Sequence, residues 1–153
     1  MTIPQSAILP EAGPFAQYTL LKVTQEPAAV LEQLQALPTL VEELNQQQPG
    51  AELTLSVAFS KSFWSKCDAA MPDELIDFPQ LGEGSTLAPS SDVDVLIHCH
   101  SNRHDLHFYL LRTFFAQASD NVVVVDETYG YRYLDSRDTV SYTHLTLPTR
   151  DEV

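Results

Sequence analysis

Basic side chains are scarce in this chain. Lys and Arg total 8 against 21 Asp and Glu, a formal charge of −13 over 153 residues. A field of that sign repels nucleic-acid phosphates and anionic membrane surfaces, so neither is an expected partner. Cysteine is scarce too: Cys67 and Cys99 make neither a CxxC pair nor a disulfide framework. No apolar run approaches the roughly 18 residues of a membrane-spanning helix. The opening MTIPQSAILPEAG has neither the basic nor the apolar region of a signal peptide, so the expected location is cytoplasmic. Only five glycines and no internal repeat speak against a fibrous or low-complexity chain. GxGxxG, HExxH and GxSxG are all missing, and with them the common signatures of dinucleotide, zinc-protease and serine-hydrolase sites. What is present, 44% hydrophobic and 9% aromatic residues, suits one folded domain with a proper core.

Phe15 to Val23 reads FAQYTLLKV, rich in aromatic and branched side chains before a turn-like TQEP, and predicts a strand. Pro27 suits a first helical position, where its missing N–H costs nothing. Val30, Leu34, Leu37, Val41 and Leu44 then recur every three or four residues straight through Pro38, which predicts one kinked helix or two short coaxial ones. Leu53, Leu55, Val57 and Phe59 alternate with small or polar neighbours, the period of a strand with one buried face. SKSFWSKC suggests a helical turn. Residues 68–91 hold three prolines, two glycines and no sustained period, which predicts a long loop of the kind that serves function or wraps a partner.

Val93, Val95, Ile97 and Cys99 make the next alternating strand. Asn102 is expected to cap a helix over 103–118, with Leu106, Leu110, Leu111, Phe114, Phe115 and Ala118 on its apolar face. VVVV at 122–125 opens a last strand, and a bend is expected at Gly130. Strand, helix, strand, strand, helix, strand is the order of an α+β, ferredoxin-like split βαβ domain: a four-stranded antiparallel sheet with two helices on one face.

The stretch SDVDVLIHCHSNRHDLHF, residues 91–108, gathers His98, His100, His104 and His107 around Cys99 and invites a metal-site interpretation. Residues two apart on a strand share a face, so His98 and His100 lie about 7 Å apart and can in principle chelate. His104 and His107 belong to the following helix, which must pack on the other face, with Val93, Val95, Ile97 and Cys99. Imidazoles divided by a sheet do not converge on one ion, and Cys99 faces away from His98 and His100. No metal, cofactor-binding or catalytic residue is therefore assigned. His107, near the middle of the apolar stripe, and His104, at its edge, are expected as core and boundary residues. Asp92 and Asp94 share a face at the strand's mouth and are expected to be solvated strand ends, not a catalytic carboxylate pair.

AILPEAG, VAFSKSFW, LAPSSDVDVLIH, SNRHDLHF and ETYGYRYLDSRD, in that order, closely resemble the N-terminal half of bacterial dye-decolorising (Dyp-type) peroxidases, haem enzymes that use hydrogen peroxide. The resemblance runs from residue 7 to about 138. It implies half of a dimeric α/β barrel-type peroxidase, with two ferredoxin-like domains in one chain and haem b held largely by the second. Small-molecule reductants and a homo-oligomeric state when complete are implied as well. The family's catalytic aspartate lies in a GxxDG motif just beyond the match to YGYRYLDSRD, and its distal arginine and proximal histidine come later. Here TVSYTHLTLPTRDEV follows Asp138 instead. The run VSYTHLTLPT, Val140 to Thr149, is similar to the translated read-through of a transposon-end sequencing adaptor.

The expectation is thus an N-terminal domain over 1–139 and a non-native tail over 140–153. Such a fragment lacks the aspartate, arginine and histidine, is inactive by itself and binds no haem stably. The resemblance also implies that the missing C-terminal haem domain covers the sheet face with Leu96, His98 and His100, so that the bare chain self-associates. The alternative is a stand-alone ferredoxin-like module for small-ligand binding or dimerisation, in which two copies join their sheets.

Overall fold

The computed structural model describes residues 4–8, 13–88 and 90–134; the tail expected over 140–153 lies outside the described residues. Strand β1, Phe15–Val23, leads into helix α1, Pro27–Gln47, with Pro27 in its first turn. Pro38 sits inside α1, where it removes one backbone donor, yet a single helix runs through it. Its buried residues are Val30, Leu34, Leu37, Val41 and Leu44, so the packing of one apolar stripe outweighs the interruption. Strand β2, Thr54–Phe59, is followed by the single turn α2, Lys61–Trp64, whose cap Ser60 accepts the Phe63 N–H through Oγ at 3.1 Å.

The segment expected to be a structureless loop contains a small hairpin, β3 (Leu81–Glu83) and β4 (Thr86–Ala88). Gly84, at φ +60, supplies the left-handed residue that its tight turn demands. After it come β5, Val95–Ser101, α3, His104–Ala118, and β6, Val122–Tyr131. Asn102 does not cap α3. The cap position is Arg103, and the Asn102 Nδ2 donates instead to Gly50 O and Glu52 Oε2, tying the start of α3 to the α1–β2 connection.

The main sheet has the order β2-β5-β1-β6 and is antiparallel throughout, the ferredoxin-like arrangement. Leu21, Val23, Leu55, Val57, Val95, Ile97 and Cys99 form one core with the apolar stripes of α1 and α3, so both long helices cover the same face. Each Leu or Ile enclosed there stabilises the fold by about 1.5–3 kcal/mol. The bend expected at Gly130 is absent, and β6 runs unbroken to Tyr131. Gly130 pairs with Ala16, and a Cβ at that position would lie 3.2 Å from the Ala16 Cβ, so the glycine serves close strand approach. The irregularity falls earlier: Leu20 pairs with Asp126 and Leu21 with Val124, which leaves Val125 as a bulge. Among the described residues no helix is long and apolar enough to cross a membrane.

Candidate functional site

The face of the sheet away from the helices carries the first histidine pair. Along β5, Val95, Ile97, Cys99 and Ser101 are buried, while Leu96, His98 and His100 are only partly covered. Register brings Tyr18 of β1 and Ser56 of β2 to either side of His98, and Leu20 and Ala58 to either side of Leu96. The Tyr18 ring stacks on His98 at 4.2 Å between centroids, and His98 meets His100 edge-on at 4.4 Å. Ser56 Oγ stands 3.4 Å from His98 Nδ1. Burial lowers the pKa of His98, with the neighbouring His100 adding to the shift, and burial lowers that of His100. Both imidazoles are therefore neutral at pH 7.

The second pair lies on the helix side. His107 is 0% exposed, and its Nε2 is 2.8 Å from Ser101 Oγ. That hydroxyl donates to Arg103 O at 2.7 Å, so its proton is already committed. Ser101 Oγ also accepts the Arg103 N–H at 3.1 Å. Burial, reinforced by the nearby His104, pushes the His107 pKa down to about 4. His104 sits in an aromatic nest, with ring centroids of Phe15, Tyr129 and Tyr131 at 5.9, 5.4 and 6.1 Å. Its partner His107 is at 6.0 Å. The sheet thus separates His98 and His100 from His104 and His107, as strand alternation requires. Among the described residues no group of three or more His, Cys, Asp or Glu side chains is placed to hold a metal ion.

Asp94 departs from expectation. It is 0% exposed, not a solvated strand end, and its carboxylate accepts the Val23 N–H at 2.9 Å and the Ser62 hydroxyl at 3.1 Å. Lys22 Nζ lies 3.6 Å from Asp94 and forms a closer ion pair with the exposed Asp92. The hydrogen bond and charge of Asp92 raise the Lys22 pKa. Backbone bonds complete the knot: Asp94 N–H donates to Leu21 O, and Asp94 O accepts from Ser60 N–H. One carboxylate therefore joins the end of β1, the approach to β5 and the start of α2. Lys22, Ser62 and Ser101 were not marked by any sequence pattern, because each acts through a partner distant in the chain or through a backbone group.

Two clefts flank these features. One, of about 450 Å³, lies between Leu20, Phe59 and Leu96 and the loop residues Ile76 and Phe78, with Asp94 at its wall. The other, of about 500 Å³, lies between Pro38 and Asn45 of α1 and Gln5 and Leu53. Neither is lined by a histidine, cysteine, methionine or tyrosine.

Residues 5–132 match the family model for the N-terminal region of Dyp-type peroxidases. The structure of a dye-decolorizing protein from V. cholerae is similar with a TM-score of 0.84 and 68% identity, covering 89% of this chain and 46% of that one. The dye-decolorizing peroxidase of Mycobacterium tuberculosis is 29% identical over 116 residues, 75% of this chain and 35% of the relative. A Rhodococcus jostii DypB variant solved in complex with haem has a TM-score of 0.73 at 26% identity, covering 87% of this chain and 44% of that one. The chain spans less than half the length of these relatives. With that match over most of its residues, the chain belongs to the Dyp-type peroxidase family and corresponds to its N-terminal region.

Proposed function

We propose that this chain is the N-terminal domain of a haem-dependent peroxidase that uses hydrogen peroxide to oxidise dyes, porphyrins or other small reductants, and that it is inactive by itself. The observation that carries this is the family match over residues 5–132, on a chain whose sheet leaves Leu96, His98 and His100 uncovered by its helices. In this reading the domain ends near residue 139, and 140–153 is a non-native tail. The GxxDG aspartate, the distal arginine and the proximal histidine would then follow Asp138 in the intact gene. Its C-terminal haem domain is the partner of the open face, and the complete protein is a cytoplasmic homo-oligomer. The free thiols Cys67 and Cys99 are consistent with that compartment.

In this reading the chain by itself holds no haem. No histidine, cysteine, methionine or tyrosine lines either cleft to serve as an axial ligand. His107 Nε2 is engaged by Ser101, and His98 Nε2 and His104 Nε2 are enclosed by protein. What the chain contributes is a surface: Tyr18, Leu20, Leu96, His98 and His100 form a semi-apolar platform of neutral rings on which a second domain can pack.

The test is reconstitution. The locus is read past the codon for Asp138, and the downstream portion is expressed and mixed with this chain. An in-frame GxxDG with a histidine-bearing domain, and peroxide-dependent dye oxidation that rises on mixing, are expected. A native stop codon directly after Asp138 would refute the proposal and favour the stand-alone module.

A further inference from the structure

Strand β2 is an outer strand of the sheet, so among the described residues one of its sides has no neighbouring strand. Such an edge is a template for pairing with another chain. Its outward backbone groups include the N–H and C=O of Leu55 and Val57, and these four are satisfied by residues 5–7. Ser6 Oγ accepts the Leu55 N–H at 3.1 Å, and Ala7 N–H donates to Leu55 O at 3.3 Å. The Gln5 carboxamide does both jobs at Val57: Oε1 accepts the N–H at 2.8 Å, and Nε2 donates to the carbonyl at 3.0 Å. A carboxamide offers a donor and an acceptor side by side, as a peptide group does. Yet residues 6–8 form a turn, not a strand, so most of this pairing is side-chain imitation of a ladder.

We propose that residues 5–7 guard a strand-addition site, and that its occupant when the guard is lifted is β2 of a second copy, running antiparallel. The spacing of the outward groups points to self-pairing. In an antiparallel ladder, hydrogen-bonded positions recur every second residue, and a twofold axis at Ser56 joins Leu55 to the partner's Val57 and Val57 to the partner's Leu55. The two copies give up eight guard bonds and form four between them, so the guard in place keeps the copies apart. The flanking pairs, Ser56 with the partner's Ser56 and Thr54 with the partner's Ala58, bring no charges together. The net charge of −13 holds two copies apart at low ionic strength, so pairing strengthens as salt screens it.

Sedimentation velocity on the full chain and on the variant Gln5→Ala/Ser6→Ala tests this at low and high salt. The variant should shift toward dimer, more so in high salt, and adding Val57→Pro should return it to the wild-type distribution. Proline there removes the outward N–H and leaves the bonds to β5 alone. Association through the open face with His98 survives that substitution, so the two modes separate. Adding Ser56→Cys to the double variant should give an oxidised covalent dimer, because the twofold sets the two sulfurs opposite each other in a non-hydrogen-bonded pair; Thr54→Cys should not. A double variant that sediments like wild type, a dimer that persists with Val57→Pro, or equal cross-linking at positions 54 and 56 would each overturn the proposal.

Discussion

Replacing Asp94 by alanine removes the acceptor that binds three segments together. The Val23 amide, 2.9 Å from the carboxylate, is left buried without a partner, which costs about 1–3 kcal/mol. Losing the Ser62 hydroxyl's bond to a charged acceptor adds roughly 1 kcal/mol, since Ser62 still has Ser60 Oγ at 2.9 Å. Lys22 keeps Asp92, and its side chain is one-third exposed, so its share is about 0–1 kcal/mol. The expected total is about 3 kcal/mol, a large part of a small domain's stability. Asp94→Asn keeps an acceptor for Val23 and should cost only about 1 kcal/mol. Urea unfolding followed by circular dichroism reads this as a lower midpoint at unchanged slope. A loss under about 1 kcal/mol for the alanine variant, or equal losses for the two, would refute the assigned role.

Acid should destabilise the domain through His107. Its folded pKa of about 4 lies below its ordinary 6.5, so between those values the unfolded chain binds more protons. Stability is full above pH 6.5, falls as pH drops toward 4 and levels off below it, by about 3 kcal/mol in all. The lowered pKa values of His98 and His100 act in the same direction, and His107→Gln should flatten most of the slope in pH-dependent urea titrations. Gly13→Ala would place a methyl 2.6 Å from Ser101 O, a backbone atom that cannot swing aside, and should cost about 2–3 kcal/mol in thermal melts. At Gly50, in open space but at φ +85, alanine should cost about 1 kcal/mol from backbone strain alone; equal losses at the two sites would contradict the contact at Gly13.

Periodicity exposed what periodicity governs. The five residues at helical spacing from Val30 to Leu44 are the buried face of α1, and alternation along β5 placed His98 and His100 opposite the helix-borne histidines. The β3–β4 hairpin escaped because each strand has three residues and Leu81, Leu87 and Ala88 are all exposed, so no alternating face exists to detect. Asp94 was misjudged because its burial depends on Val23 and Ser62, which lie 71 and 32 residues away in sequence. Asn102 has the composition of a cap, but Gly50 and Glu52 compete for its amide. Gly130 signalled a bend, whereas its actual use, close approach to Ala16, depends on the pairing of β1 with β6.

The proposal that this chain holds no haem by itself is tested most directly by titrating the purified chain with hemin and recording the Soret region. No stoichiometric band with histidine-ligated character should appear, and His98→Ala should leave the spectra unchanged. A one-to-one band that disappears on that substitution would contradict it.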